Sequence, residues 1–450
     1  MSFELTTLGE IALGSNGAVD GPFGSNLKAS SYTESGIPVI RGSNLSLGLD
    51  EFKSDEFVYV GDDTYSRLAR SECLPQDIIF TKKGTLGQTG FVPQEPYPSY
   101  LISSNQMRLR VDPAKANPKY VYYWVSSKKA IDKIRGESEH TGVPKINLDY
   151  LKKFPISLPS VSYQNSAVEI LDNLNDKIAL NTQTSQTLEE MAQAIFKSWF
   201  VDFDPVKAKM NGEQPDGMDA ATASLFPDKL VESELGLIPE GWEVKNVGEF
   251  TDTFDYVANG SFAALKANVE LFDEPNDVLY VRTTDFNKGF KNDLKYTNES
   301  SYQFLSKSKL YGHETIISNV GDVGTVFRAP SWYDMPMTLG SNAMGIVAKG
   351  ANSYIYYLFK SHTGQHLLDG ITSGSAQMKF NKTSFRKLRV ILPSNELLVK
   401  FEDLEASLWA KHASNQKESL HLEKLRDTLL PKLLSGEIEL GQAQELAEVE

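Results

Sequence analysis

A phosphate-transferring enzyme of the P-loop kind needs GxxxxGK[ST], and the 450-residue chain has no such run. It has no GxSxG elbow to present a serine nucleophile. It also lacks an Asn- or Asp-Pro-Pro-aromatic run of the kind that holds a target amine for methyl transfer. Asn117-Pro118-Lys119-Tyr120 is only a distant echo of that run. His362 and His366 stand four apart, a spacing that puts two zinc ligands on one helical face. The Glu of HExxH is absent and no third ligand is evident, so both are read as surface or packing residues. Asp228, Glu243 and Lys245 formally match a metal-nuclease spacing. They lie across an acidic stretch and the start of a domain rather than on adjacent strands, which makes the match accidental. Cys73 is the single cysteine and has no disulfide partner in the chain, which fits a small buried residue in a reducing compartment. The expectation is a chain with no catalytic residues, no metal and no cofactor of its own.

Residues suited to binding a polyanion are more coherent. Thr81, Lys82 and Lys83 precede the turn Gly84-Thr85-Leu86-Gly87, where backbone amides and two lysines suit a phosphate. Arg41 with Asn44, and Arg282 with Thr284, end predicted strands. Arg can read guanine, and Asn adenine, through paired hydrogen bonds in the major groove. Asn319 stands where the lysine turn would recur, with Arg328 nearby, and Lys145 and Lys379 form a matched basic pair. Any one of these is ordinarily a solvated surface charge, and repetition is what strengthens the set. Asn105 and Asn342 are read as turn residues that hold a loop.

These residues repeat because the chain repeats. KINLDYLKKFPISLPS at 145–160 is echoed by KFNKTSFRKLRVILPS at 379–394. GTLGQTGFVP (84–93) aligns with GDVGTVFRAP (321–330), SSNQM (103–107) with GSNAM (340–344), and KYVYYW (119–124) with SYIYYL (353–358). IPVIRGSNL (37–45) aligns with VLYVRTTDF (278–286), and LGE (8–10) with VGE (247–249). Block order never changes, so one domain of about 155 residues is duplicated. Within each copy, IPVIRG, DIIFTKKG and MRLRV predict strands and turns, while KYVYYWVSSKKAIDKI predicts one amphipathic helix. The class is α+β.

Each copy stops at a Pro-Ser pair, and a glycine-free stretch follows. Leu171, Leu174, Ile178, Asn181, Ser185, Leu188, Ala192, Ile195 and Trp199 alternate spacings of three and four. Phe401, Leu404, Leu408, Asn415, Leu422, Leu425 and Leu429 do the same up to Pro431 and Gly436. The expected arrangement is two similar mixed α/β domains, 1–160 and 236–394, joined by long helices over 161–203 and 395–435. At about 1.5 Å per residue each helix is ~60 Å long. The helices are expected to pair antiparallel, as a coiled coil with a pseudo-twofold internal repeat. The buried Asn181 and Asn415 would fix its register. An acidic linker, 204–235, would run back along the pair, and 436–450 is an acidic tail. Phe196, Trp199, Phe200 and Phe203 at the end of the first helix are either the base of a core or an anchor for a partner.

The net charge of −14 argues against a polyanionic partner only until it is located. Residues 200–240 hold nine acids against three lysines, and five glutamates with no base follow Ser435. The remainder is nearly balanced, so basic faces fit on it. No apolar run of about 18 residues predicts a membrane span, and MSFELTTLGE lacks a signal-peptide pattern. A cytoplasmic location is expected.

The stretches AIFKSWFVDFDPVKAK, SELGLIPEGWEV and LLPKLLSGEIEL, placed after the first helix, at the second domain and after the second helix, resemble the specificity subunit of type I restriction-modification systems. The resemblance covers essentially the whole chain. It implies two target recognition domains, each reading half of a bipartite, asymmetric site on double-stranded DNA, with the paired helices setting the gap. It implies docking of two modification subunits that use S-adenosylmethionine to methylate adenine, with restriction subunits joining them for phage defence. It moves the Phe196–Phe203 run toward partner docking. Pro431 and Lys432 stand where Lys197 and Ser198 stand in the first segment, which argues against a strictly symmetric docking surface. Two other classes compete. A coiled-coil scaffold that binds only proteins would show no sequence-dependent DNA affinity, and a self-contained nuclease would act with no partner present.

Overall fold

In the computed structural model, residues 3–49, 52–54, 57–138, 143–374 and 377–448 are described. They form two compact units. One comprises residues 1–178 and 421–450, and the other residues 179–420. Glu450 of the acidic tail lies outside the described residues, as does the side chain of Glu448.

In the first unit one five-stranded sheet runs Tyr32–Thr33, Val58–Val60, Ile37–Ile40, Tyr100–Ile102, Glu72–Cys73. Its central pair is parallel, with Leu101 opposite Val39, and its other pairs are antiparallel. A second, antiparallel sheet runs Ala18–Asp20, Gln106–Leu109, Ile78–Thr81, Gln88–Phe91, Ser46–Leu47. The β-branched and aromatic residues of these short runs fill the core between turns. The two-stranded pair Glu4–Thr7 with Pro155–Leu158 ties the start of the domain to its end.

The second unit repeats the plan. Leu271–Phe272, Lys295–Thr297, Val278–Val281, Met337–Leu339 and Lys309–Leu310 form a five-stranded sheet, again with a parallel central pair. Thr251–Asp255, Ala343–Ala348, Thr315–Ser318 and Val326–Arg328 form its companion. Glu243–Asn246 pairs with Arg389–Leu392. The repeat extends to register: Thr81 opposes Gln106 in the first unit, and Ser318 opposes Ala343 in the second.

The single helix expected over KYVYYWVSSKKAIDKI is two, Pro118–Val125 and Lys128–Gly136. Ser127 breaks it, because its hydroxyl accepts from the Ala130 amide and starts a new helix. Ser361 does the same between Asn352–Lys360 and His362–Ile371, accepting from the Gly364 amide. His362 and His366 share that last helix. No group of three or more metal-ligating side chains exists among the described residues.

The two Pro-Ser stops are helix starts. The Ser160 and Ser394 hydroxyls accept from the amides of Tyr163 and Leu397. The helices that follow are α1 (Val161–Phe196) and α2 (Asn395–Ser435). In the first unit the Tyr163 hydroxyl donates to the Leu433 carbonyl at 3.0 Å, and Arg426 donates to Asn175 at 3.0 Å. In the second, Asn181 donates to Glu418 at 2.9 Å. Residue numbers rise on one helix as they fall on the other, so the pairing is antiparallel. α2 runs through Pro431 and ends at Gly436, whose φ is +74°. α1 ends earlier than expected, in a wider turn over Lys197–Val201, and Phe203 has φ +56°. Among the described residues no helix is long and apolar enough to cross a membrane.

The segment expected to run back along the helix pair folds within the second unit instead. It forms the helices Asp204–Met210 and Ala220–Ser224 and the hairpin Leu230–Ser233 with Gly236–Pro239. Val206, Phe226 and Ile238 are buried in that unit's core, and this burial holds the segment in place. The residues after Ser435 include a helix, Leu440–Glu448, with Ala443 buried in the first unit.

Candidate nucleic-acid interface

The lysine turn and its counterpart sit in one backbone frame, built twice. In the first unit the Lys82 amide donates to the Asn105 carbonyl at 2.8 Å, the Ile146 amide to the Lys82 carbonyl at 2.9 Å, and the Gly84 amide to the Pro144 carbonyl at 3.2 Å. In the second, the Asn319 amide donates to the Asn342 carbonyl at 3.0 Å, the Phe380 amide to the Asn319 carbonyl at 3.1 Å, and the Gly321 amide to the Met378 carbonyl at 3.0 Å. Lys83 thereby bridges to Lys145, and Val320 to Lys379. Lys83, Lys145 and Lys379 are exposed, and Asn319 is half-buried. The turn amides are partly used by the chain: Leu86 donates to the Gly84 carbonyl at 2.9 Å, and Gln88 to the Thr85 carbonyl at 3.4 Å. The lysines, more than a nest of free amides, supply the positive charge.

Beside this frame the first unit opens a polar cleft of about 550 Å³, lined by Arg41, Lys83, Gln88, Ser104, Asn105 and Gln106 among others. Thr81 lies on its floor, buried, with its hydroxyl 3.4 Å from Gln88. Lys82 points elsewhere, to Asp20 at 3.0 Å. Gln88, Ser104 and Gln106 were not singled out by type. The SSNQM/GSNAM match was the available signal for two of them.

Arg41 and Arg282 occupy one position. The Arg41 amide donates to Asn44 Oδ1 at 2.9 Å, and the Arg282 amide donates to Asp285 Oδ2 at 2.9 Å. Asn44 is fully buried, and its Nδ2 donates to the Lys53 carbonyl at 2.9 Å. Asn44 is therefore not a base-reading residue but the brace of the turn that carries Arg41. In the second unit Asp285 is the brace, and it also holds the Arg282 guanidinium through Nε at 3.1 Å, while Nη2 donates to the Asp293 carbonyl at 2.6 Å. Thr284 is exposed at the tip of that turn and matches Ser43, which lines the first cleft.

Arg328 is not at a surface. It is buried, paired with Glu405 of α2 at 2.7 Å, and stacked 4.4 Å from the Tyr356 ring centroid and 4.5 Å from that of Trp409. Burial disfavours its charge, and Glu405 together with Tyr356 and Tyr357 more than offsets that. It joins the sheet domain of the second unit to α2. Glu405 also accepts from the Ser353 hydroxyl at 2.7 Å and the Tyr357 hydroxyl at 3.3 Å.

Phe196, Trp199, Phe200 and Phe203 are all buried in the second unit. Phe196 packs on Tyr354 and Tyr357, Trp199 on Phe226, Phe200 on Phe401, and Phe203 on Trp242. Of the two readings left open for this run, the base of a core is the one its geometry fits, and the rings are not an exposed anchor. Asn181 and Asn415 are both buried in the helix pair, but they do not bond each other. Asn181 reaches Glu418, and both amide atoms of Asn415 lack a partner among the described residues.

Two similar sheet domains, one in each unit, carry the same backbone frame, and in each unit α1 and α2 pair antiparallel beside them; this duplicated plan defines a two-domain recognition protein. The chain belongs to the type I restriction modification DNA specificity domain family, whose model matches residues 32–190 and again 239–397. It is 28% identical over 385 residues to the type I restriction enzyme HindI specificity subunit of Haemophilus influenzae, covering 76% of this chain and 82% of that protein. It is 25% identical to the MjaIX specificity subunit of Methanocaldococcus jannaschii, across 98% of this chain and 93% of that one. The crystal structure of a type I restriction-modification S subunit from M. genitalium shares the fold, with a TM-score of 0.55 at 13% identity over 96% of both chains.

Proposed function

We propose that this chain is the DNA-reading subunit of a type I restriction-modification complex. Each recognition domain reads one half of a bipartite, asymmetric site on double-stranded DNA. The paired helices set the unspecified gap, and the chain docks two modification subunits, which restriction subunits can join. Methyl transfer from S-adenosylmethionine then belongs to the modification subunits, and this chain decides where it happens, in the cytoplasm.

One observation carries the reading: the same backbone frame is built twice but dressed differently. Lys83 and Thr85 in the first copy stand where Val320 and Asp322 stand in the second, and Asn44 stands where Asp285 stands. A frame kept while its side chains change is what reading two different words requires. Within this proposal Arg41, Lys83, Lys145, Arg282, Thr284, Asn319 and Lys379 face DNA. Expressing the chain with its modification subunit in a methylation-free host, then mapping N6-methyladenine, tests it. A two-part motif with a fixed gap is expected. An intact complex that leaves no new methylation would shift the reading to a protein-only scaffold.

A further inference from the structure

Single exposed apolar side chains are ordinary, but a matched pair is not. Phe23 is 82% exposed and Phe262 is 84% exposed, the highest values among the large hydrophobic side chains of the described residues. They occupy the same place in the two copies. Asp20 opposes Met107, and Asp255 opposes Met344, where the chain leaves matching sheets. Each aspartate binds a lysine, Lys82 at 3.0 Å and Lys382 at 2.9 Å. Each chain then reaches a glycine and exposes a phenylalanine two residues on, in Gly21-Pro22-Phe23 and Gly260-Ser261-Phe262. The second copy differs by the inserted turn Tyr256–Asn259.

Both loops are braced on residues of the reading frame. The Gly21 amide donates to the Gln106 carbonyl at 2.9 Å, and a Cβ at Gly21 would lie 2.0 Å from the Ser103 carbonyl oxygen. Phe23 closes a tight turn, its carbonyl accepting from the Asn26 amide at 2.7 Å, and Arg67 holds the Asn26 carbonyl at 3.0 Å. Ser103, Gln106 and Leu27 line the first cleft. In the second copy the Ser261 hydroxyl accepts from the Ala264 amide at 3.3 Å and sets Phe262 at the start of its helix. Tyr256 packs edge-on against Tyr280, whose hydroxyl accepts from the amide of Ser341, the counterpart of Ser104, at 3.2 Å. A phenyl ring offers no hydrogen bond. Held out beside a frame that reads DNA, it fits the apolar surface of a base, either the face of an opened base step or a thymine methyl.

Resting on the DNA-reading function above, we propose that Phe23 and Phe262 press against nucleobases of the two half-sites, one ring per recognition domain. The test uses the full chain assembled with its modification subunit, on duplexes carrying the mapped site. Phe23→Ala and Phe262→Ala should leave folding and assembly intact and weaken cognate binding by about five- to a hundred-fold, while Phe23→Trp and Phe262→Trp retain most of it. 2-Aminopurine walked through a half-site should brighten at one step if the ring opens the stack. Thymine-to-uracil replacement should mimic the alanine variant if it meets a methyl. Either signal should vanish only in the half read by the altered domain. Alanine variants that bind like the parent overturn the proposal. So do variants that lose the modification subunit while the chain keeps its DNA affinity, because the rings would then belong to a protein interface. A parent complex with no sequence preference would instead sink the DNA-reading function itself.

Discussion

Asn44 and Lys83 are both polar residues near the first cleft, and burial separates their roles. Asn44 satisfies the Arg41 amide and the Lys53 carbonyl inside the fold. Asn44→Ala should cost about 1–3 kcal/mol, seen as a lower denaturation midpoint, and any loss of DNA binding should follow that instability. Lys83 is exposed on the bridge to Lys145. Lys83→Ala should leave stability unchanged, weaken binding to all sequences alike, and flatten the salt dependence of log K by about 0.9. An unchanged slope would remove Lys83 from the phosphate contacts. The sequence placed both residues correctly next to strand ends. It could not separate them, because residue type says what a side chain can bond and only packing says what it does bond. Arg282 was paired with Thr284 by type, whereas Asp285, aligned with Asn44, is the residue that braces it.

The elements were legible where periodicity is long. α1, α2 and their antiparallel pairing follow from stripes that run for many turns, and the duplicated sheets follow from matched short strands. Breaks set by one hydroxyl, at Ser127 and Ser361, were missed, because a serine inside an amphipathic pattern looks tolerable until it caps. Arg328 was misplaced for a different reason. Its partner Glu405 lies on α2, 77 residues away, and no local pattern links them. Removing one side of this buried pair, as in Glu405→Ala, should destabilise the second unit by about 3–5 kcal/mol, while replacing both with apolar residues of similar volume should recover most of it. Urea titrations of the single and double variants check this. His412 of α2 stacks on Trp409 at 4.8 Å and meets Trp332 edge-on at 5.8 Å. Burial pushes its pKa below the usual 6.5, helped by Arg328 and Lys360 and opposed by the Ser185 backbone and Glu189. The fold thus holds the neutral ring. Its stability is full above the unfolded pKa of about 6.5 and declines as pH falls through the lower folded value. His412→Gln should reduce the decline in urea midpoint below about pH 6.5. Glu402, raised by burial, acts with the opposite sign, losing its contribution as pH rises from about 4.5. Glu402→Gln is therefore the control.

For the whole molecule, the repeat carried more than the composition did. The charge of −14 argues against DNA taken as a total, yet the acids concentrate in 200–240 and after Ser435, apart in sequence from the lysine turn and its counterpart. In the proposed function the distance between the two words is a mechanical quantity, because α1 and α2 each run through both units. Both helices cross from one unit to the other, α1 after Ile178 and α2 after Leu420. A matched heptad inserted at these two points keeps the apolar stripes in register and adds about 10 Å to each helix. If the helices set the gap, methylation mapping of this variant should return the same two half-sites, with the gap longer by about three base pairs at ~3.4 Å per step. Half-sites that change would mean the helices also shape the clefts. An unchanged gap, in a complex that still methylates, would mean that the modification subunits and not this chain fix the spacing.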